Sequence, residues 1–238
     1  MKVLVFDIWG DYGHFRKFFT TSSPLTFSFP PPSTIAGILG AICGFNKNEY
    51  LKVFSFETCK IGLKIASPVK KVRMGMNLIN TKDFNWQPIQ TKHHEPRTQI
   101  RTEFLKDPYF RIYVSHEDRG IFKVLEQNVR EHKCVYSISL GLSELLADFK
   151  YVGVLEAKEL KDIFTEISTP IVAGNLIDSE ITIEQGKKYF KEKMPIKMNP
   201  DRVVELYDDV IYEPDGQTIK ARVKTCYKLE NGEYITFF

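Results

Sequence analysis

Residues 27–44 read FSFPPPSTIAGILGAICG, and this stretch decides the fold. Three consecutive prolines, Pro30 to Pro32, cannot sit inside a helix, but they deliver the chain rigidly to the start of one. Ser33 or Thr34 then caps a short helix that runs to about Cys43, and Gly44 ends it. Ile35, Ile38, Leu39 and Ile42 fall at helical spacing and define its buried face. Ala36, Gly37, Gly40 and Ala41 between them are small. Glycine inside a helix costs about 0.5–1 kcal/mol relative to alanine. Two of them make sense where another part of the chain must come close.

Upstream of the helix, Lys2 to Ile8 reads as a strand, with Val3, Val5 and Phe6 among its apolar residues. Trp9–Phe19 follows as the aromatic and basic segment WGDYGHFRKFF. Downstream, Val53 to Ala66 reads as a second strand region. Between Ser67 and Lys106 the periodicity fails. That stretch holds Pro68, Pro88 and Pro96, a basic cluster at Lys70, Lys71 and Arg73, and a second group with Lys92, His93, His94, Arg97 and Arg101. So long an excursion needs a hairpin or a function of its own, and it reads as a projecting basic thumb at about 67–106.

Tyr109 to Ser115 is a further strand. Asp118 to about Glu131 is a helix with Ile121, Phe122, Leu125 and Val129 along one face. Val135 to Leu140 and Lys150 to Leu155 read as strands. Through residue 140 the order is strand, helix, strand, strand, helix, strand, the split βαβ plan of an α+β, ferredoxin-like (RRM-like) domain over residues 1–156. Residues 157–238 read mostly as short strands, including Arg202–Tyr212 and Ile219–Leu229, with turn signals at Asp215-Gly216 and Asn231-Gly232. They form a small β-rich C-terminal lobe.

Composition sets the class. With 238 residues and 43 % hydrophobic content the chain can build one generous core with a smaller second lobe, which excludes a disordered polymer. No apolar run is long enough for a membrane span. The opening MKVLVFDIWG reads as a strand beginning at the initiator Met without a basic leader, so a cytoplasmic protein is expected. Cys43, Cys59, Cys134 and Cys226 form no CxxC pair, which argues against a zinc ribbon or dithiol site and leaves each cysteine as a packing residue.

The net charge of +3 hides an uneven distribution. Residues 51–105 carry ten basic and four acidic side chains, while residues 157–238 carry twelve and fifteen. A basic block beside a mildly acidic remainder suits a protein that holds a polyanion on one side and other proteins elsewhere. In the N-terminal segment aromatic rings can stack bases, while Arg16 and Lys17 can neutralise phosphates. The amides near Ser33 and Thr34 can receive one phosphate. In the thumb, Arg97 and Arg101 share a side if the chain is an extended hairpin. The bland alternative leaves Trp9, Phe15 and Phe18 in the core and the cations in solvent.

An enzyme reading also has candidates. A metal-independent ribonuclease needs a base for the 2′-hydroxyl and a cation for the developing charge. His93 or His94 would be the base, Lys92 the cation, and Tyr12 or Tyr50 an auxiliary. No third ligand joins His93 and His94, and His14, His116 and His132 are isolated. Asp208-Asp209 and Glu117-Asp118 lack an ion-loop pattern, so neither metal nor cofactor is expected. Neither a GxGxxG nor a P-loop motif is present.

Together the opening strand, GDYGHFRKFF, FSFPPPSTIAGILGAICG, RTEFLKDPYFRIYV and SISLGLSELLADFKYVG resemble the fifth numbered family of CRISPR-associated proteins, within the repeat-associated RNA-binding superfamily. The resemblance covers residues 1–156 and is closest to the type I-B branch. It implies a ferredoxin-like core with a thumb that caps the 5′ handle of the crRNA in the surveillance complex Cascade. Implied partners are the backbone subunit, the large subunit and, through the complex, target DNA. Carried onto this chain, it places Tyr12, His14, Arg16 and Lys17 near the handle and makes Ser33 and Thr34 a phosphate seat. The segment containing Lys70, Lys71, Arg73, Lys92, Arg97 and Arg101 becomes the thumb that bends the RNA.

Two departures bear on the resemblance. The superfamily's glycine-rich loop near the C-terminus has only Gly141 in SLGLSE as a poor counterpart. In the type I-C branch the member is itself a ribonuclease using a tyrosine, a lysine and a histidine, which Lys92-His93 with Tyr50 would imitate. The motifs favour a non-catalytic binder.

Overall fold

Strand β1 (Lys2–Trp9) has six consecutive buried residues because both of its faces are covered. Leu4, Phe6 and Ile8 join the main core, while Val3 and Val5 join a second cluster with Tyr113, Tyr227 and Ile235. The computed structural model describes residues 1–20, 23–81, 89–92 and 95–238. Beside β1 lie β6 (Tyr109–His116) and β7 (Asp148–Ile167), with β3 (Cys59–Ile65) beyond β6, and every neighbouring pair is antiparallel. The molecule is a mixed α/β fold built on antiparallel sheets with few helices.

Two helices lie against this sheet. Helix α1 (Pro32–Cys43) starts two to three residues earlier than the sequence suggests: Pro31, not Ser33 or Thr34, holds the cap position and no side chain caps it. Proline suits the first helical position, because its φ is already set and its missing N–H would have been unpaired. Ser33 and Thr34 therefore lie within the first turn. Helix α3 (Arg119–Arg130) is capped by Asp118, whose carboxylate accepts from the amides of Gly120 at 2.7 Å and Ile121 at 3.1 Å. Phe122, Leu125 and Val129 form its buried stripe.

Three local readings are corrected. Only Cys59–Ile65 of the Val53–Ala66 region is strand, because the chain first turns through the short helix α2 (Tyr50–Val53). Val135–Leu140 is not a strand among the described elements. The amides of Val135 and Tyr136 both donate to the Ala41 carbonyl at the end of α1, so no neighbouring strand holds them. Cys134 is exposed, whereas Cys59 and Cys226 are buried and Cys43 half-buried. Burial pushes the Cys43 and Cys59 thiols up to about 12.

Strand β7 is twenty residues long and changes partner along its length. Asp148 to Glu156 pair with β1, and Ala157 to Ile167 pair with β12 (Ile219–Leu229). Through β12 the sheet also takes in β9 (Leu176–Ile181) and β13 (Tyr234–Ile235). A second sheet joins β10 (Phe190–Met198), β11 (Val204–Tyr212) and β8 (Ile171–Val172). Met194, Ile196, Val210 and Tyr212 from it enter the main core. The basic stretch forms a hairpin of β4 (Lys70–Ile79) and β5 (Arg97–Lys106), joined at its base by β2 (Tyr12–Gly13). No helix among the described residues is long and apolar enough to cross a membrane.

Candidate nucleic-acid interface

The β4–β5 register sorts the hairpin's side chains into two faces. Lys71 stands opposite Leu105, Arg73 opposite Glu103, Gly75 opposite Arg101 and Ile79 opposite Arg97. Side chains alternate along a strand, so Lys71, Arg73, Arg97 and Arg101 share one face. Lys70 falls on the other, with Val72, Met74 and Met76. Arg97 and Arg101 are exposed and have no acidic partner among the described residues. Gly75, opposite Arg101, leaves open space beside it.

Glu103 organises the base of that face. Its carboxylate accepts from the Thr26 amide at 3.4 Å and lies 3.7 Å from Lys71 and 3.5 Å from Arg73. Lys71 also donates to the Thr26 carbonyl at 3.0 Å. Burial pulls the Lys71 ammonium below the usual lysine value, against the pull of Glu192 and Glu103. Lys71 is therefore a tethered cation, Arg73 a partly engaged one, and the two distal arginines are open.

The N-terminal segment divides in the same way. His14 is buried, with Nδ1 2.7 Å from the Glu103 carbonyl and its ring against Phe104. Its amide donates to the Leu140 carbonyl at 2.8 Å, so it ties the hairpin base to the 137–141 segment. Tyr12 is half-buried, edge-on to Phe104 and opposite Lys106. Lys17 forms an ion pair with Glu192 of β10, both side chains largely withdrawn from solvent. Of the four, Arg16 alone is exposed, with its guanidinium donating to the Thr20 carbonyl at 3.0 Å.

Ser33 and Thr34 open onto a different surface, a cleft of about 430 Å³ that also involves Gly37, Tyr50, Ser139 and Arg202. The amides of Thr34 and Ile35 donate back to the Pro31 carbonyl, while the Ser33 amide and both hydroxyls have no partner among the described residues. Gly40 explains the small residues of α1: a Cβ there would stand 2.6 Å from the Tyr50 Cβ. Tyr50 is thereby pressed onto the helix, and the Arg202 guanidinium lies 5.7 Å from its ring. The 137–141 segment is locked in turn, because a Cβ on Gly141 would stand 1.8 Å from the His14 carbonyl oxygen.

Of the ribonuclease candidates, His93 and His94 lie outside the described residues, Lys92 is exposed, and Tyr50 packs against Gly40 of α1. No cluster of metal-ligating side chains occurs among the described residues. Sequence reasoning missed Glu103, Glu192 and Arg202. Glu103 had one signal, as the sole acid within the basic β5; Glu192 and Arg202 had none, because their partners are remote in sequence.

A family model described as CRISPR-associated protein (Cas_Cas5) matches residues 3–207. The matched span runs well past residue 156, so the likeness reaches further into the C-terminal part than the sequence motifs indicate. A solved structure of a CRISPR protein from Archaeoglobus fulgidus superposes with a TM-score of 0.59 at 15 % identity, covering 98 % of this chain and 97 % of that one. A chain of a CRISPR RNA-guided surveillance complex superposes at 0.54 and 9 % identity, covering 98 % and 93 %. These are likenesses of fold. No curated protein matches the sequence.

Proposed function

The chain belongs to the Cas5 family of CRISPR-associated proteins, and from that membership we propose that it is a non-catalytic subunit holding the 5′ handle of a crRNA in a type I-B-like Cascade complex. The observation that carries the reading is the hairpin face with Arg73, Arg97 and Arg101, the last two without acidic partners among the described residues. Guanidinium groups in a row along an extended ribbon suit the phosphates of a single strand. The cleft at Ser33 and Thr34, with Tyr50 and Arg202, offers a separate seat for one phosphate. Tyr12, His14, Lys17 and Lys71 act from beneath, as supports of that surface.

We read the strand order β7-β1-β6-β3 as ferredoxin-like and RRM-like, with β4–β5 as its thumb. Residues 1–156 supply most of the RNA-facing surface, and residues 157–238 form the β-rich extension that adds Arg202 at the cleft. The backbone and large subunits are its protein partners, target DNA an indirect one, and the cytoplasm its compartment. The fold shared with a chain of a surveillance complex supports membership of such an assembly. Tyr50 packs closely against Gly40 of α1.

The test is a metal-free binding and cleavage assay with labelled repeat RNA. Binding that prefers the 5′ handle, weakens in R97A/R101A and leaves the RNA intact is expected. A discrete cut that is lost in K92A or H93A and blocked by a 2′-deoxy substitution would make the protein a processing ribonuclease instead.

A further inference from the structure

Phe18 and Phe19 occupy the two corners of a tight turn in which the Thr20 amide donates to the Lys17 carbonyl at 3.3 Å. Such corners usually hold Gly, Pro, Asn, Asp or Ser. Here two phenylalanines stand there, 52 % and 58 % exposed. They meet edge to face at 5.2 Å, and Phe18 leans on Tyr207 of β11 at 4.7 Å. Tyr207 is itself 39 % exposed. Three large rings clustered in solvent mark a contact surface, since nothing in the core requires them.

The turn is braced from below. The Lys17 amide donates to the Leu25 carbonyl at 2.9 Å, and the Thr20 hydroxyl donates to the Lys17 carbonyl at 2.9 Å. The Lys17 ammonium, paired with Glu192, lies 5.8 Å from the Phe19 ring. The rings are thus held in place before anything binds, which lowers the ordering cost of binding.

The same loop closes on the basic face of the hairpin. Thr26 bonds Glu103 and Lys71, and the Glu103 amide donates to the Pro24 carbonyl at 2.9 Å. Exposed Arg16, bridged to Thr26, lies in the segment between the two surfaces. Cations for phosphates beside open ring faces for bases is the combination that holds single strands. That adjacency favours RNA over an apolar protein partner.

We propose that Phe18, Phe19 and Tyr207 form a base-stacking platform for single-stranded RNA, continuous with the arginine face of the hairpin. The inference rests on the RNA-binding reading and adds its sequence-tolerant, non-ionic component. In use, nucleobases lie on the exposed rings while the phosphates run towards Arg16, Arg73 and Arg101.

The experiment titrates single-stranded RNA oligonucleotides carrying 2-aminopurine at successive positions into the full-length protein and its F18A/F19A variant. Circular dichroism checks that the variant is folded, and F18L/F19L separates apolar area from stacking. The wild type should quench the fluorophore at one or two adjacent positions. F18A/F19A should lose that quench and about tenfold or more in affinity, with the salt slope unchanged because no phosphate contact is removed. F18L/F19L should lose most of the quench. If F18A/F19A binds as tightly as wild type while R97A/R101A is weakened, the platform is wrong and the RNA reading stands. Unchanged RNA binding with lost recruitment of the backbone subunit would make the patch a protein dock. Failure of the wild type to bind RNA, with the backbone subunit present, would sink both.

Discussion

Lys17 and Glu192 form an ion pair that is largely closed to solvent, and it fastens the N-terminal loop to β10, an edge strand of the second sheet. The other carboxylate oxygen of Glu192 accepts from the Ser28 amide at 3.1 Å, and the Ser28 hydroxyl meets the Tyr212 hydroxyl at 2.6 Å. A cation that looks free in the sequence thus serves as an anchor.

Removing one partner of that pair should therefore be felt in stability. Lys17→Met strands the Glu192 carboxylate and should cost about 3–5 kcal/mol in denaturant unfolding. The K17M/E192Q double variant removes the stranded charge and keeps an acceptor for Ser28, so it should recover a large part of the loss. Equal stability of K17M and wild type would show that the pair does not hold the loop.

Arg97 and Arg101 should behave in the opposite way. Alanine at both positions should leave the unfolding midpoint nearly unchanged, since both are exposed. If each meets a phosphate of a single strand, the slope of log affinity against log salt should fall by about 1.4 in magnitude. An unaltered slope in fluorescence anisotropy titrations would place the RNA elsewhere.

Gly141 permits no side chain. Its φ is +102°, and the His14 carbonyl occupies the space a Cβ would need. Gly141→Ala should lower stability by about 2 kcal/mol or more and should loosen the cleft at Ser139. Differential scanning calorimetry of G141A decides it, and a wild-type midpoint would mean the segment shifts without cost.

Asp118 gives the fold an acid-sensitive element. The Ile121 and Gly120 amides that donate to its carboxylate hold its pKa below the usual aspartate value. A lowered folded pKa contributes stability above the unfolded value, near 3.9, and loses it as pH falls through the folded one. Asp118→Ala should therefore melt earlier than wild type at neutral pH, and the gap should close in acid below about pH 4. A gap independent of pH would mean that the charge contributes nothing to the cap.

The elements legible in the sequence are those whose signal is local. Val3, Val5 and Phe6 announce β1 within a short apolar run, and Phe122, Leu125 and Val129 announce α3 by helical spacing. The hairpin was legible from its charge, and its two-faced arrangement follows from strand geometry once the register is known. What stayed hidden depends on remote partners. Val135–Leu140 has the composition of a strand, but the Ala41 carbonyl draws its first amides to a helix end. Arg16 and Lys17 are neighbours with the same charge, and only the distant Glu192 separates an exposed cation from an enclosed one. His14 sits in a basic segment yet turns inward, because the Glu103 carbonyl waits for its ring nitrogen.

Strand β7 acts mechanically as a single beam clamped to β1 along one half and to β12 along the other. Neither clamp can be released without leaving the beam cantilevered from the other. Pulling on the C-terminal part therefore transmits the load through β7 straight into β1, the strand beside which β6 is laid. The chain should accordingly rupture in one event under force, with no plateau for a detached tail.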